Sequence, residues 1–358
     1  MDIFRLMKDN RQEQIAFYAD KNVYLRAIMA IHSTALGPAI GGIRILKYQN
    51  VKAAVFDLLR LSRAMTLKTA AAGLNFGGGE VVICEQEGMQ KTEPLFRAIG
   101  RFIESFKGRF IAAEDVGVTE ECIEFMRMET RYVTGLPAYY GGSGNHSYMG
   151  AWGTFMGLLA AAKYRWDSEN LDDRRIIIQG YGRVGRYMAR FTKEKGARVL
   201  VADVHPDKAA QAQADGFETI PAENCDREKC DIFSPCAIGP IIRPETADRF
   251  QCEIIAGSAN NQLLNEDDDH RLRRRNILYV PDFIINVGGT IDVAEEYLGY
   301  NADKVSRKTE HIFDRTIEIL RQADQMDITT NRAAIQFAYR RIESIKQIRG
   351  TFLGKGKI

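Results

Sequence analysis

RRIIIQGYGRVGRYMARFTKEKGARVLVAD, residues 174–203, decides how the rest of this chain is read. RRIIIQG is a short β-branched run, and GYGRVG places Gly180, Gly182 and Gly185 in the G-x-G-x-x-G spacing. A helix is expected to open directly from it, over Arg183 to Lys195, followed by a second strand from Ala197 that ends in Asp203. A lone glycine triplet would carry little, but strand, glycines, helix, strand and terminal acid in one unit specify a Rossmann dinucleotide fold. Gly180 permits the tight turn, Gly182 lets a pyrophosphate approach and Gly185 permits close helix–strand packing. Arg183 and Val184 open a helix whose N-terminal N–H groups and dipole favour phosphate. Asp203 accepts from ribose hydroxyls and repels a 2′-phosphate, so NAD is expected over NADP.

Downstream, CDIFSPC, EIIAGSANN and ILYVPDF read as further strands, whose C-terminal ends carry Cys236, Ala237, Asn260, Asn261 and Asp282. In a doubly wound sheet these ends line the ligand crevice. For Asn260 and Asn261 an Asx-capped turn is an equal alternative. NVGGTIDVAEEYLGY starts another helix, and a helical region from about Lys304 to Ile348 is long enough to reach back across the molecule.

Upstream, GLPAYYGGSG (135–144) is a Gly-rich hinge, followed by a helix over Tyr148 to Tyr164. NVYLRAIMAI (22–31) and IGGIRIL (40–46) alternate as strands and are expected to pair as antiparallel neighbours. A helix follows through Val51, Ala54, Val55, Leu58 and Leu61. It leads into KTAAAGLNFGGGE (68–80), read as a glycine-rich loop with Lys68 and Glu80 at its ends pointing into a pocket. Two solvated charges on a surface loop is the plainer alternative. FIAAEDVG (110–117) is a buried strand ending in Glu114 and Asp115, which face a cleft or cap the next helix.

Composition excludes several classes. A chain of 358 residues is long for one core, so two domains are expected. A net charge of +2 gives no case for nucleic acid or an anionic membrane. The N-terminus, MDIFRLMKDN, has no apolar signal region, and no apolar run spans a bilayer. Six scattered cysteines point to reduced thiols in the cytoplasm, and Cys225 and Cys230 lack a second pair, so no metal site is expected.

AIHSTALGPAIGGIR, LSRAMTLKTAAAGLNFGGG, AAEDVG, GGSGN, GYGRVG, SPCAIG, AGSANNQL and PDFIINVGG occur in this order nearly end to end. In these segments the chain resembles the leucine/phenylalanine/valine dehydrogenase branch of the glutamate dehydrogenase superfamily. The resemblance implies an α/β fold with a cleft between an N-terminal substrate domain of mixed sheet and helices and a C-terminal Rossmann domain. The division is expected as 1–140 and 141–330, with a C-terminal helix at about 331–358 rejoining the first domain. It implies interconversion of an α-amino acid with a 2-oxo acid and ammonia, NAD as cofactor, and a homo-oligomer. Residue by residue, Lys68 matches the lysine that binds the substrate carboxylate, and Asp115 the aspartate that shuttles protons at the amine. Gly41 and Gly42 match backbone lining the substrate pocket, and Asn260 and Asn286 match polar residues near nicotinamide and substrate.

The departures lie at the reacting end. The family loop ends in GGGK, whose lysine activates water and stabilises developing charge; this chain has Glu80. Where the family reads much like GNPSPVTAYG, this chain has GNHSYMGAWG, so His146 and Tyr148 replace prolines and Gly150 replaces a threonine expected to bond the carboxamide. An anion cannot perform a lysine's electrostatic task. Three readings follow: an amino acid dehydrogenase with impaired or altered deamination, a related C–N hydride transfer such as imine reduction in which Glu80 and Asp115 hold an iminium, and a non-catalytic NAD- or amino-acid-binding paralogue.

Overall fold

The computed structural model describes residues 2–144 and 146–348. Its first sheet contains β1 (Gln14–Asp20), β2 (Leu25–Ser33), β3 (Ala39–Leu46), β4 (Gly77–Cys84) and β5 (Phe110–Glu114), in the order β1-β2-β4-β3-β5. β1 was not anticipated from the sequence. β2 runs antiparallel to β1 and β4, whereas β3 is parallel to β4 and β5. The anticipated pairing of β2 with β3 is therefore wrong, because β4, more than thirty residues further along the chain, inserts between them. The helix Val51–Ala71 makes the crossover from β3 to β4, which a parallel pair requires.

Alternation of side chains gives this sheet two apolar faces. Ile28, Ala30 and Val82 pack with Ala54, Val55 and Leu58 of the Val51–Ala71 helix. Met29, Ile31, Val81 and Ile83 pack on the opposite face with Phe96, Ile99 and Ile103 of the helix Glu93–Glu104. The sheet is thus covered on both sides, and its central strand β4 is almost wholly buried.

The glycine-rich segment is not a loop throughout. Lys68 lies in the last turn of the Val51–Ala71 helix, Gly73 makes the turn at φ +71°, and Gly77–Glu80 belong to β4. The three successive glycines are needed for close packing rather than for unusual dihedrals. A Cβ at Gly78 would stand 2.1 Å from the Thr66 amide nitrogen, and one at Gly79 would stand 2.8 Å from the Ala30 carbonyl oxygen.

The second sheet is wholly parallel: β6 (Arg175–Gln179), β7 (Arg198–Ala202), β8 (Glu218–Thr219), β9 (Ile232–Pro235), β10 (Ile254–Ile255) and β11 (Leu278–Tyr279). Its order, β11-β10-β9-β6-β7-β8, reverses between β6 and β9, the topological switch point of a Rossmann-like sheet. The glycine segment leaves β6 there and enters the helix Arg183–Glu194. The helix Thr330–Lys346 returns to pack against Val51–Ala71, and Arg341 donates to the Leu74 carbonyl at 2.7 Å. Residues 349–358 of the anticipated terminal helix lie outside the described residues. Among the described residues no helix is long and apolar enough to cross a membrane.

Candidate active site

A cavity of about 440 Å³ opens between the two sheets. It is lined by Gly41, Gly42, Lys68, Glu80, Asp115, Asn260 and Asn286, and Val184 also reaches it. These residues come from the first half of β3, the residue that follows β5, the last turn of a helix, the middle of β4 and the crevice edge of the second sheet. The remaining anticipated cofactor residues, Gly180, Gly182, Arg183, Gly185, Asp203, Cys236 and Ala237, do not line this cavity and lie around the glycine turn and neighbouring strand ends.

Glu80 is 3% exposed on a central strand, and Gly42 N–H donates to its Oε2 at 3.0 Å. A Cβ at Gly42 would stand 2.9 Å from Glu80 Oε1 and 2.6 Å from Asp115 Cβ, so the bare backbone of β3 makes room for both acids. Burial first, and Asp115 second, push the Glu80 pKa well above the usual carboxylate range; Arg44 and the Gly42 amide only partly oppose them. Arg44 was not anticipated as a site residue. Its Nε donates to Asp115 Oδ2 at 2.6 Å and its Nη1 to Asp57 Oδ2 at 3.3 Å; Tyr48 also donates to Asp57, at 2.8 Å. Its signal was available, since Arg44 lies two residues beyond Gly42 on one strand and so shares its face. Asp115 does not cap the next helix, whose N-cap is Thr119.

Lys68 faces the second sheet. Its Nζ donates to Asn260 Oδ1 at 3.1 Å, and Asn286 Nδ2 donates to the same oxygen at 2.9 Å. Lys68 and Glu80 share the cavity without an ion pair between them. Burial lowers the Lys68 pKa, against the pull of Asp282, Asp115 and Glu80, and burial raises that of Asp282, against the pull of Lys68. Both shifts run towards the neutral forms, as burial of a charged group does. Asn286 Oδ1 is buried without a hydrogen-bond partner, a polar atom that a ligand would satisfy. Asn261, at φ +52°, adopts the left-handed conformation of a turn and also lines the cavity.

At the glycine turn, Gly180 has φ +99°, and a Cβ there would stand 2.8 Å from Ala237 N, so the turn is packed against the end of β9. A Cβ at Gly185 would meet the Gly180 carbonyl at 1.9 Å, whereas at Gly182 nothing lies within 4 Å. That open face at a helix N-terminus fits a pyrophosphate. Asp203 accepts from Tyr181 N–H at 2.6 Å and from His205 N–H at 2.9 Å, which fixes its carboxylate beside the turn.

A further cluster was not foreseen. Glu114 Oε1 meets His146 Nε2 at 3.0 Å and Arg183 Nη2 at 3.3 Å. In the sequence the three residues belong to separate segments, and nothing local joins positions this far apart. The Asn145 of GGSGN lies outside the described residues.

A family profile described as "Glu/Leu/Phe/Val dehydrogenase, dimerisation domain" matches residues 12–132, and one described as "Glutamate/Leucine/Phenylalanine/Valine dehydrogenase" matches residues 141–206 and 202–350. The chain belongs to the Glu/Leu/Phe/Val dehydrogenase family. Family relatives include the leucine dehydrogenase of Thermoactinomyces intermedius, 42% identical over 354 residues that cover 99% of this chain and 97% of the relative. The phenylalanine dehydrogenase of Caldalkalibacillus thermarum is 39% identical over 349 residues, 96% of this chain and 94% of the relative. Among solved family structures, the L-tryptophan dehydrogenase from Nostoc punctiforme superposes with a TM-score of 0.80 at 38% identity, covering 96% of this chain and 99% of that one. These matches cover nearly the whole of this chain and of each relative, so the likeness extends to both sheets.

Proposed function

We propose that this protein is an NAD-dependent oxidoreductase of the amino acid dehydrogenase type, acting on the CH–NH2 or C=N bond of a small carboxylate substrate. The observation that carries the reading is the gathering of Lys68, Asn260, Asn286, Asp115 and Glu80 around one cavity next to the switch point of a parallel sheet. The proposed division is a substrate unit of residues 1–140, rejoined by the terminal helix, and a dinucleotide unit of residues 141–330.

The residues at the glycine turn fit the dinucleotide. The open face of Gly182 and the first turn of the Arg183–Glu194 helix would hold its phosphates, and Asp203 would bond its ribose and disfavour a 2′-phosphate. When bound, NAD supplies the hydride acceptor or donor. Lys68 anchors the substrate carboxylate, whose charge would oppose the burial that lowers the lysine's pKa. Asp115, oriented by Arg44, takes or returns the proton at nitrogen.

Glu80 limits this chemistry. A buried acid with a raised pKa stabilises a cationic nitrogen when ionised and can donate a proton when neutral. It cannot supply positive charge to water attacking an imine. We therefore infer slow oxidative deamination of ordinary aliphatic amino acids. The Glu80–Asp115 pairing also favours a second reading, reduction of a preformed C=N bond without hydrolysis. A dimerisation-domain match supports the expected homo-oligomer. The test is an NADH absorbance screen over L-amino acids, 2-oxo acids with ammonia, and cyclic imines carrying a carboxylate. Turnover in one of these classes is expected; binding of NADH with no turnover in any would leave the non-catalytic paralogue.

A further inference from the structure

Glu114 ends β5, immediately before Asp115, yet its side chain turns to the other unit. One oxygen serves two partners: His146, which precedes the helix Ser147–Trp166, and Arg183, the first residue of the helix that opens from the glycine turn. Both partners lie on the dinucleotide side of the cleft. The Glu114 side chain is 3% exposed, that of His146 19% and that of Arg183 62%. Glu114 Oε2 and His146 Nδ1 are buried without hydrogen-bond partners, so the cluster is held by charge at a single shared oxygen.

We propose that Glu114 is a positioning residue that clasps the Asp115-bearing strand end to the first turn of the dinucleotide helix through Arg183 and His146, with His146 as the proton-controlled member of the clasp. This rests on the reading of the cleft as a substrate site facing a dinucleotide. The opposite lip is joined independently: Arg63 Nη1 pairs with Glu266 Oε1 at 2.5 Å, and Arg60 donates to the Leu263 carbonyl at 3.2 Å. The clasp therefore governs one lip, the one beside the fingerprint glycines. The chain between the units is itself held, because Glu296 accepts from the amides of Gly135, Leu136 and Ser143. Opening would have to break side-chain links at the lips as well as bend that segment.

The charged groups facing His146 set the sign. Burial works against its cation, but the Glu114 hydrogen bond and the charges of Glu114 and Asp292 outweigh burial and the repulsion from Arg183, and its pKa lies above the ordinary value. Asp292 is on the helix Gly288–Gly299, with Glu296 one turn on, and its own pKa is pushed up to about 6 by burial. Burial also opposes the Glu114 anion, yet His146 and Arg183 hold its pKa below the usual value, so it stays charged. The contribution of protonated His146 is complete below pH ~6.5 and is lost as pH rises through its raised pKa. Above that, Arg183 alone holds Glu114.

The test uses the full-length protein without substrate. Small-angle scattering measures the radius of gyration from pH 5.5 to 9, and stopped-flow fluorescence measures NADH dissociation, for the unaltered chain, Glu114→Gln, His146→Gln and Arg183→Gln. The unaltered chain is expected to expand as pH rises. Glu114→Gln should show the expanded radius throughout and release NADH about five- to tenfold faster, the loss of a charge-assisted link discounted for the exposure of Arg183. His146→Gln should flatten the pH dependence. Arg183→Gln, changed at a largely exposed side chain, should fold normally and keep a pH step. A radius independent of pH in the unaltered chain, or a Glu114→Gln profile identical to it, would overturn the clasp. Neither readout needs amino acid turnover, so a pH-dependent radius with no substrate found would sink the dehydrogenase reading and leave the clasp standing.

Discussion

Replacing Lys68 by alanine removes the only positive charge aimed from the Val51–Ala71 helix at Asn260. Lys68 is buried and its Nζ is hydrogen-bonded to Asn260 at 3.1 Å, a position where a bond to a carboxylate is shielded from bulk solvent. Hydrogen bonds to charged groups contribute ~1.5–3 kcal/mol. Burial opposes the lysine's charge, so a value below the top of that range, ~2 kcal/mol, is the expected loss, a factor of about 30 in Kd. The assay is calorimetric titration of a branched 2-oxo acid and of its primary amide, with NADH present, for the unaltered protein, Lys68→Ala and Lys68→Met. The methionine variant keeps the stem that packs the cavity wall. Both variants should lose acid binding and keep most amide binding, and the acid's advantage in the unaltered protein should shrink at a pH below that of a free lysine's titration. An amide that loses as much affinity as the acid would refute the anchor.

Asp203 ends the second Rossmann strand beside the turn, so NAD(H) should bind more tightly than NADP(H) in a fluorescence titration, and Asp203→Ser should narrow the gap; equal affinities in the unaltered protein would remove the role. Gly78→Ala should destabilise the fold by about 1–3 kcal/mol in chemical denaturation, since its Cβ would meet Thr66 N at 2.1 Å, while Gly182→Val, facing open space, should spare stability and weaken dinucleotide binding. Asp292, raised from 3.8 to about 6, binds its proton more tightly folded than unfolded, so its share of stability falls as pH rises through that window. Asp292→Asn should remove that slope from a series of denaturation curves, and an unchanged slope would show that the acid titrates normally.

The second sheet could be read from the sequence because its signals are local. Glycines, β-branched runs and a terminal acid lie within thirty residues, and the structure places β6, the helix Arg183–Glu194 and β7 close to the expected limits. The first sheet was harder, because alternation identifies β2 and β3 but carries no information about a strand arriving later between them. The glycine run of β4 shows a related limit. In sequence it looks like flexibility, and only the crossing of Thr66 and Ala30 reveals a strand pressed between neighbours. Lys68, Glu80, Asp115, Asn260 and Asn286 were each expected at the site from motif and resemblance, and the structure gathers them around one cavity. Arg44 and the Glu114–His146–Arg183 cluster were missed as site features because tertiary contact sets their partners: Arg44 meets Asp115 across 71 positions, and Glu114 meets His146 and Arg183 across 32 and 69.

The measurement that bears most directly on the account is NADH formation by the unaltered protein and by Glu80→Lys over one panel of L-amino acids at matched pH. Glu80 puts a buried acid beside Asp115, where the proposed reading of deamination calls for a cation, so the unaltered protein should deaminate leucine and phenylalanine slowly or undetectably, and the lysine variant should be faster while retaining NADH affinity. Brisk leucine or phenylalanine turnover by the unaltered protein, with no gain from Glu80→Lys, would contradict it and leave an ordinary amino acid dehydrogenase in which another group does the lysine's work.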